Sequence, residues 1–246
     1  MASVMLDLVP GGPVAGPNMT SVTFDLSTQP LRQLNHFLHH ELPDGNVHVR
    51  VKSPDGAHSI AVGVNAPIDI EIEGHAGYYA AGMNQQARVT VHGNAGPAVA
   101  ENMMSGRVHV KGFASVAAGA SGQGGLLVID GDASLRCGIS MKGIDIVVAG
   151  SVGDFSAFMA QEGRLVICGD AGDALGDSLY EAVIYIRGRI KSLGADAHEE
   201  PMTDGDYAAV AELLAAAGVD HDSKDFRRVA SMRSLYHWNA DANQEY

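Results

Sequence analysis

Glycine recurs at Gly74, Gly93, Gly112, Gly131, Gly150, Gly169 and Gly188, each 19 residues after the one before. Four residues ahead of these stand Ile70, Val89, Val108, Leu127, Ile146, Leu165 and Ile184; two ahead stand Ile72, Val91, Val110, Ile129, Val148, Ile167 and Ile186. All 14 are branched aliphatics and 12 are β-branched, with Glu71, Thr90 and His109 among the residues between the rows. Each unit therefore opens with the period-2 pattern of a strand. The register persists beyond the glycine. Two residues on come Ala76, Ala95, Ala114, Ala133, Val152, Ala171 and Ile190, and seven on come Ala81, Ala100, Gly119, Gly138, Ala157, Gly176 and Ala195.

A unit this short, with one strand and small-residue corners, cannot bury an apolar face by itself. Stacked at about 4.8 Å per rung, the aliphatic pairs form ladders inside a solenoid. The spacing thus predicts a parallel β-helix over residues 69–195, with the repeat glycines giving positive φ and close approach at the corners. The columns also account for the abundance of glycine, 30 of 246 residues. The L-x-x-L-x-L-x-x-N frame of leucine-rich repeats is missing, and tandem helices would carry a glycine in the middle of each.

Both flanks read as caps. Residues 28–42 place Leu31, Leu34, Leu38 and Leu42 on one helical face, with Thr28 as N-cap and Pro30 near the first turn. Strand-like runs Val47–Val51 and Ile60–Val64 read as opening turns. After Ala195 comes an acidic linker, then a helix over 206–217 with Tyr207, Val210, Leu213 and Leu214 on its apolar side and Gly218 as its stop. The tail from Phe226 should be extended, held by a partner or by the domain surface. The division is a flexible leader (1–23), an N-terminal helix with opening turns (24–68), the repeat domain (69–195), and a C-terminal helix with tail (196–246). Met19 is a candidate native start, with residues 1–18 as an appended leader.

Charge and cysteine content narrow the function. The net charge is −13, and no basic block offers a nucleic acid a footing. No apolar run reaches the roughly 18 residues that span a bilayer. Two cysteines, Cys137 and Cys168, suit a reducing cytoplasm and occupy different columns, so they read as buried small residues. His36 and His40 sit one helical turn apart, a metal-compatible spacing, but without a third ligand nearby they read as a polar helix face. The cluster Gly119-Ala-Ser-Gly122-Gln-Gly124-Gly125 looks anion-friendly yet lacks the lysine and helix of a P-loop. Asp130, Asp132, Asp154, Asp170, Asp173 and Asp177 fall at corners and read as solvated charges. No catalytic, cofactor-binding or metal-binding residue is assigned; the seven repeat glycines are structural.

The pattern G-x-x-G-x-x-x-[GA], as in Gly74-His-Ala-Gly77-Tyr-Tyr-Ala-Ala81 and Gly169-Asp-Ala-Gly172-Asp-Ala-Leu-Gly176, resembles the GXGXG domain of the glutamate synthase family. That resemblance implies a right-handed parallel β-helix. It also implies a stand-alone subunit working beside an amidotransferase-like subunit and a synthase subunit that carries FMN and iron–sulfur clusters, in a hetero-oligomer. This chain itself would bind no cofactor. The segment from Phe226 to Tyr236 looks like the end of the B-type subunit of N-methylglutamate synthase. The implied function is a non-catalytic structural subunit of an enzyme that makes N-methylglutamate and ammonia from methylamine and glutamate. The alternative is the C-type β-helix subunit of a formylmethanofuran dehydrogenase or formyltransferase/hydrolase complex. A third reading, an independent enzyme or binder using a corner nest, would show as activity of the isolated chain.

Overall fold

The computed structural model describes residues 19–232. Strands β1 (Met19–Asp25), β2 (Asn46–Lys52), β3 (Asp69–Ile72), β4 (Arg88–Val91), β5 (Arg107–Val110), β6 (Leu126–Ile129), β7 (Lys142–Val148), β8 (Glu162–Ile167) and β9 (Val183–Ile186) form one parallel sheet in sequence order. From β3 to β9 residues pair with those 19 positions on, as in Ile70↔Val89 and Val89↔Val108, except at a register shift in β7 where Lys142 pairs with Glu162. A second ladder runs through Ala76, Ala95, Ala114, Ala133, Val152, Ala171 and Ile190. The fold is a right-handed parallel β-helix of about seven turns with two helices, as the repeat predicts.

The two aliphatic rows point inward. Ile72, Val91, Val110, Ile129, Val148, Ile167 and Ile186 are fully buried, and Ile70, Val89, Val108, Leu127, Ile146, Leu165 and Ile184 expose at most 1%. At about 25 cal/mol per Å2 of buried apolar surface, these stacked rows supply the main driving force.

The repeat glycines serve close approach and not, as the repeat had suggested, positive φ. Only Gly74 of the seven has a left-handed φ, at +145°. The glycine N–H donates to the carbonyl of the glycine one rung earlier, Gly112 to Gly93, Gly131 to Gly112 and Gly150 to Gly131, at 3.0–3.1 Å. A Cβ on Gly150 would lie 2.7 Å from the Gly131 oxygen and 2.3 Å from Asp132 Oδ1.

Left-handed backbone falls instead later in the corner, at the small-residue column running from Ala81 through Ala100 and Gly119 to Gly176, and at positions two residues to either side of it that the sequence pattern does not flag. In the rung of Gly93 these are Ala98, Ala100 and Asn102, with φ of 62°, 57° and 55°. Each conformation costs a non-glycine residue roughly 1–2 kcal/mol. What it gains is an alternating hydrogen-bond pattern. Ala98 and Asn102 donate forward to Val116 and Ala120 of the next rung, while Ala100 donates back to Ala80. These bonds pair backbone N–H groups that a corner would otherwise leave without a partner.

The ends are closed differently. Helix α1 (Leu31–His40) buries Leu34 and Leu38 against the first coil. Asn35 Nδ2 donates to the Ser59 carbonyl at 3.0 Å and its Oδ1 accepts from the Ala61 N–H at 3.1 Å. The Ala61 N–H is one that a preceding coil would have satisfied, as Ile60 does for Ala81 and Ala80 for Ala100. At the other end, β11 (Arg227–Ser231) pairs antiparallel with β9, and β10 (Ala197–Glu200) pairs antiparallel with β11. The reversal stops further parallel addition. Helix α2 (Asp204–Ala217) lies between β10 and β11 in the chain and ends at Gly218, whose φ is +75°.

Some expected boundaries shift. Residues 19–23, placed in the leader, belong to β1, and residues 1–18 lie outside the described residues, as does the tail beyond 232. Thr28 is not the N-cap of α1. Pro30 holds that position, because residues 25–29 close a turn on Asp25 to which both Thr28 and Gln29 donate. Ile60–Val64 is a corner and not a strand: Ile60 and Val64 point inward, but Ser59 and Ala61 are left-handed. Residues 197–200 form β10 where a linker was expected, and the described part of the tail is extended at Arg227–Ser231, paired with β9.

If space governs the glycine column, Gly150→Ala should cost at least about 2 kcal/mol of unfolding free energy. Gly218→Ala, left-handed but with open space around its Cβ, should cost about 1 kcal/mol. Chemical denaturation of the two variants checks this, and a Gly150→Ala cost below that of Gly218→Ala contradicts it.

Candidate functional site

The outer face of the sheet has two halves. Over β2–β5 it is polar and paired. Glu71 lies 3.7 Å from His48 and 3.8 Å from His92, and Arg50 meets Glu73 at 3.0 Å. His109 Nε2 approaches Asp130 at 2.7 Å, with Lys111 at 3.3 Å from the same carboxylate. Burial holds the His109 pKa below its ordinary value, against the opposing pull of Asp130.

Over β6–β9 the same outward row turns apolar, to Val128, Val147, Val166 and Tyr185, and α2 covers it with Val210, Leu213, Leu214 and Ala217. This continuation of the Glu71–Thr90–His109 row is the signal that places α2, and reading only the first three members misses it. Polar contacts fix the helix at both ends. Asp206 shares a capping box with Thr203 and accepts from the Tyr185 hydroxyl at 2.6 Å. Arg107 Nη1 donates to the Ala216 carbonyl at 2.7 Å, where the helix leaves its carbonyls unpaired. Nearby, Arg164 binds Asp145 through two bonds of 2.8 and 2.6 Å, and the carboxylate is 8% exposed.

The corner carboxylates are not merely solvated, as the sequence suggested. Asp132, Asp154 and Asp170 each accept the backbone N–H found 19 residues on, from Ser151, Asp173 and Arg189, at 2.7–2.8 Å. Asn94 and Ser151 do the same for Phe113 and Asp170. Asp173 takes Lys191 and Ser192, and Asp177 takes the Ser178 hydroxyl. Asp130 is the partner of His109.

The remaining candidates are dispersed. Cys137 lies in the inner core and Cys168 under α2 on the outer side, so the two thiols do not meet. Burial raises their pKa values to about 12 and about 11, which keeps both protonated at neutral pH. His36 and His40 stack at 4.7 Å on α1, and His36 sits 3.3 Å from Glu41. Among the described residues, no three His, Cys, Asp or Glu side chains are grouped to hold a metal ion. The Gly119–Gly125 segment is taken up by stacking: a Cβ at Gly119 would meet Ile146 at 2.6 Å, and one at Gly125 the Gly106 oxygen at 2.7 Å. An open cleft of about 520 Å3 lies between the start of α1 and the first coil, lined in part by Leu26, Leu31, Asp55, Glu73 and His75. Glu73 is held by Arg50, and His75 Nδ1 accepts the Asn94 N–H at 2.9 Å. No described helix is long and apolar enough to cross a membrane.

The class defined by these features is a parallel β-helix whose polar side chains tie one coil to the next and anchor a lateral helix. No family model matches the chain. It is 54% identical over 224 residues to Protein GlxC of Rhizobium meliloti (strain 1021), an alignment covering 90% of this chain and 98% of the relative, and it belongs to the GlxC family.

Asp206 gives a pH-dependent handle on α2. Burial pushes its pKa up, but the bonds from Thr203 and Tyr185 outweigh this and leave it below the ordinary 3.8. A depressed carboxyl stabilises the fold above its unfolded value and loses that contribution as pH falls through the folded one. Asp206→Asn should therefore melt below the parent at neutral pH, with the gap closing as pH drops under 3.8. Melting curves across that range measure it, and a gap that is flat with pH rules out the charged contacts as its source.

Proposed function

We propose that this chain is a non-catalytic structural subunit of a glutamate-synthase-related assembly. Its partners would be an amidotransferase-like subunit and an FMN- and iron–sulfur-bearing synthase subunit, which it would hold in fixed relation. The observation that carries the reading is the engagement of the corner side chains. The Asp132, Asp154 and Asp170 carboxylates, which might have formed a site, cap the next coil. A stack tied in this way is stiff along its axis and offers long faces for docking. Family membership with a GlxC protein over nearly its whole length supports a subunit of the same extent.

Within that class, the reaction proposed is the conversion of methylamine and glutamate to N-methylglutamate and ammonia, carried out by the partner subunits in the cytoplasm. The support is the GXGXG-like repeat together with the tail that begins at Phe226, of which Arg227–Ser231 forms β11.

Purification of the tagged full-length chain from its native host tests this. The expected result is co-purification of a flavoprotein, with N-methylglutamate formed by the assembly and none by the chain alone. Recovery of a metal-bearing amidohydrolase-like chain instead would assign it to a formyl-transfer complex, and turnover by the isolated polypeptide would overturn the subunit reading.

A further inference from the structure

The sheet face shows how this molecule distinguishes a covered surface from a wet one. Its outward row is polar at Glu71, Thr90 and His109, and apolar from Val128 onward, where α2 lies on it. A second outward column makes a comparable switch. Four residues after the repeat glycines stand Tyr78, Pro97, Val116 and Leu135, and then Asp154 and Asp173. At about 4.8 Å per rung the apolar part runs about 14 Å along the axis. Here no described segment lies on top. Tyr78 is 50% exposed and Leu135 45%, and beside the end of the strip Phe155 and Met159 are exposed at 42% and 39%. Large apolar side chains aligned on one exposed side mark an interaction surface.

The charge at the end of the strip says what kind of partner fits. Asp154, Asp173 and Asp177 cluster there. Lys191 pairs with Asp173 and its charge also reaches Asp154, so these two carboxylates share one lysine, while Asp177 accepts from the Ser178 hydroxyl and the Ala195 N–H. A second copy of this chain suits the strip poorly in either direction. Aligned parallel, it sets carboxylates against carboxylates; aligned antiparallel, it sets them against the apolar Tyr78 end without a cation. Both arrangements desolvate charge without compensation.

We propose that this column is the docking surface for a different protein subunit, one that presents an aliphatic or aromatic ridge ending in lysine or arginine. The inference rests on the subunit reading above and adds which face is used. Val116 lies within the strip and Leu135, 45% exposed, is its large apolar side chain next to the carboxylates, while Asp154 and Asp177 set the direction in which the partner lies.

Hydroxyl-radical footprinting of the full-length chain, alone and in its native assembly, tests the face directly, since Tyr78, Leu135, Phe155 and Met159 all oxidise readily when exposed. Oxidation of these residues should slow several-fold in the assembly. Leu135→Glu should weaken association with the flavin-bearing subunit at least about tenfold. Its melting temperature should match the parent's, whereas Thr90→Glu on the open sheet face should bind normally. If the flavoprotein binds but the strip oxidises equally fast and Leu135→Glu binds as the parent does, the face is wrong and the subunit reading survives. If no flavoprotein associates, both fall. Protection already present in the isolated chain overturns the proposal: when lost on dilution it identifies a second copy, and when independent of concentration it identifies the chain's own ends.

Discussion

Direct backbone-to-backbone stacking of the glycine column sets the terms for the rest of the molecule. Each repeat glycine donates to the carbonyl of the one before it, from Gly112–Gly93 through Gly188–Gly169, without a side chain between the rungs. That contact allows one period only. Insertion of a residue would carry the following glycine off its partner and put a Cβ-bearing neighbour against a carbonyl. The aliphatic ladders, the alanine ladder and the polar ladder all inherit the 19-residue register from this constraint, because each is built on the same vertical repeat. Where the column starts, the step differs: Val49 pairs with Ile70, and the corner between them is bonded by Asn35 of α1 at Ser59 and Ala61.

The parts legible in the sequence are those in which one side-chain property decides the outcome. Inward rows of Ile and Val announce strands because burial is the only use for them, and α2 ends at Gly218 because only glycine is comfortable at its φ. The corners were opaque for a physical reason. Residues as different as Ala98, Asn102, Arg136 and Phe155 all adopt left-handed backbone there, so no residue type reports the conformation. It is imposed by the hydrogen bonds of the rungs on either side, a tertiary effect that overrides local preference. The same holds for Asp132 and Asp170: their composition says surface charge, and only the stacked coil shows the N–H that each one caps.

Placement of α2 illustrates how little separates a solvated face from a covered one. Val128, Val147 and Val166 occupy the position held by Glu71, Thr90 and His109 three rungs earlier, in the same ladder register. The change lies in the outward side chains alone. Apolar burial draws the helix down, and Tyr185–Asp206 and Arg107–Ala216 then fix where along the face it rests. Arg107 belongs to β5, the last strand of the polar half, so the anchoring pair also marks the boundary between the two halves.

In a solenoid built in this way one periodicity governs both the polar groups and the outer columns. Catalysis needs polar groups that converge and are free to change partners as charge develops. Here the periodicity disperses like groups along an axis, one per rung, and gives each a fixed partner in the neighbouring coil: Asp132 the Ser151 amide, Asp154 the Asp173 amide, Arg164 the Asp145 carboxylate. Moving Asp132 or Asp154 would uncap backbone, and moving Arg164 would leave the buried Asp145 carboxylate without its bidentate partner. The same periodicity makes each outward column a line of side chains at constant spacing. Such a line can be rewritten residue by residue without disturbing the core, as the sheet face was at Val128. A surface of that kind evolves readily into an interface, and far less readily into an active site.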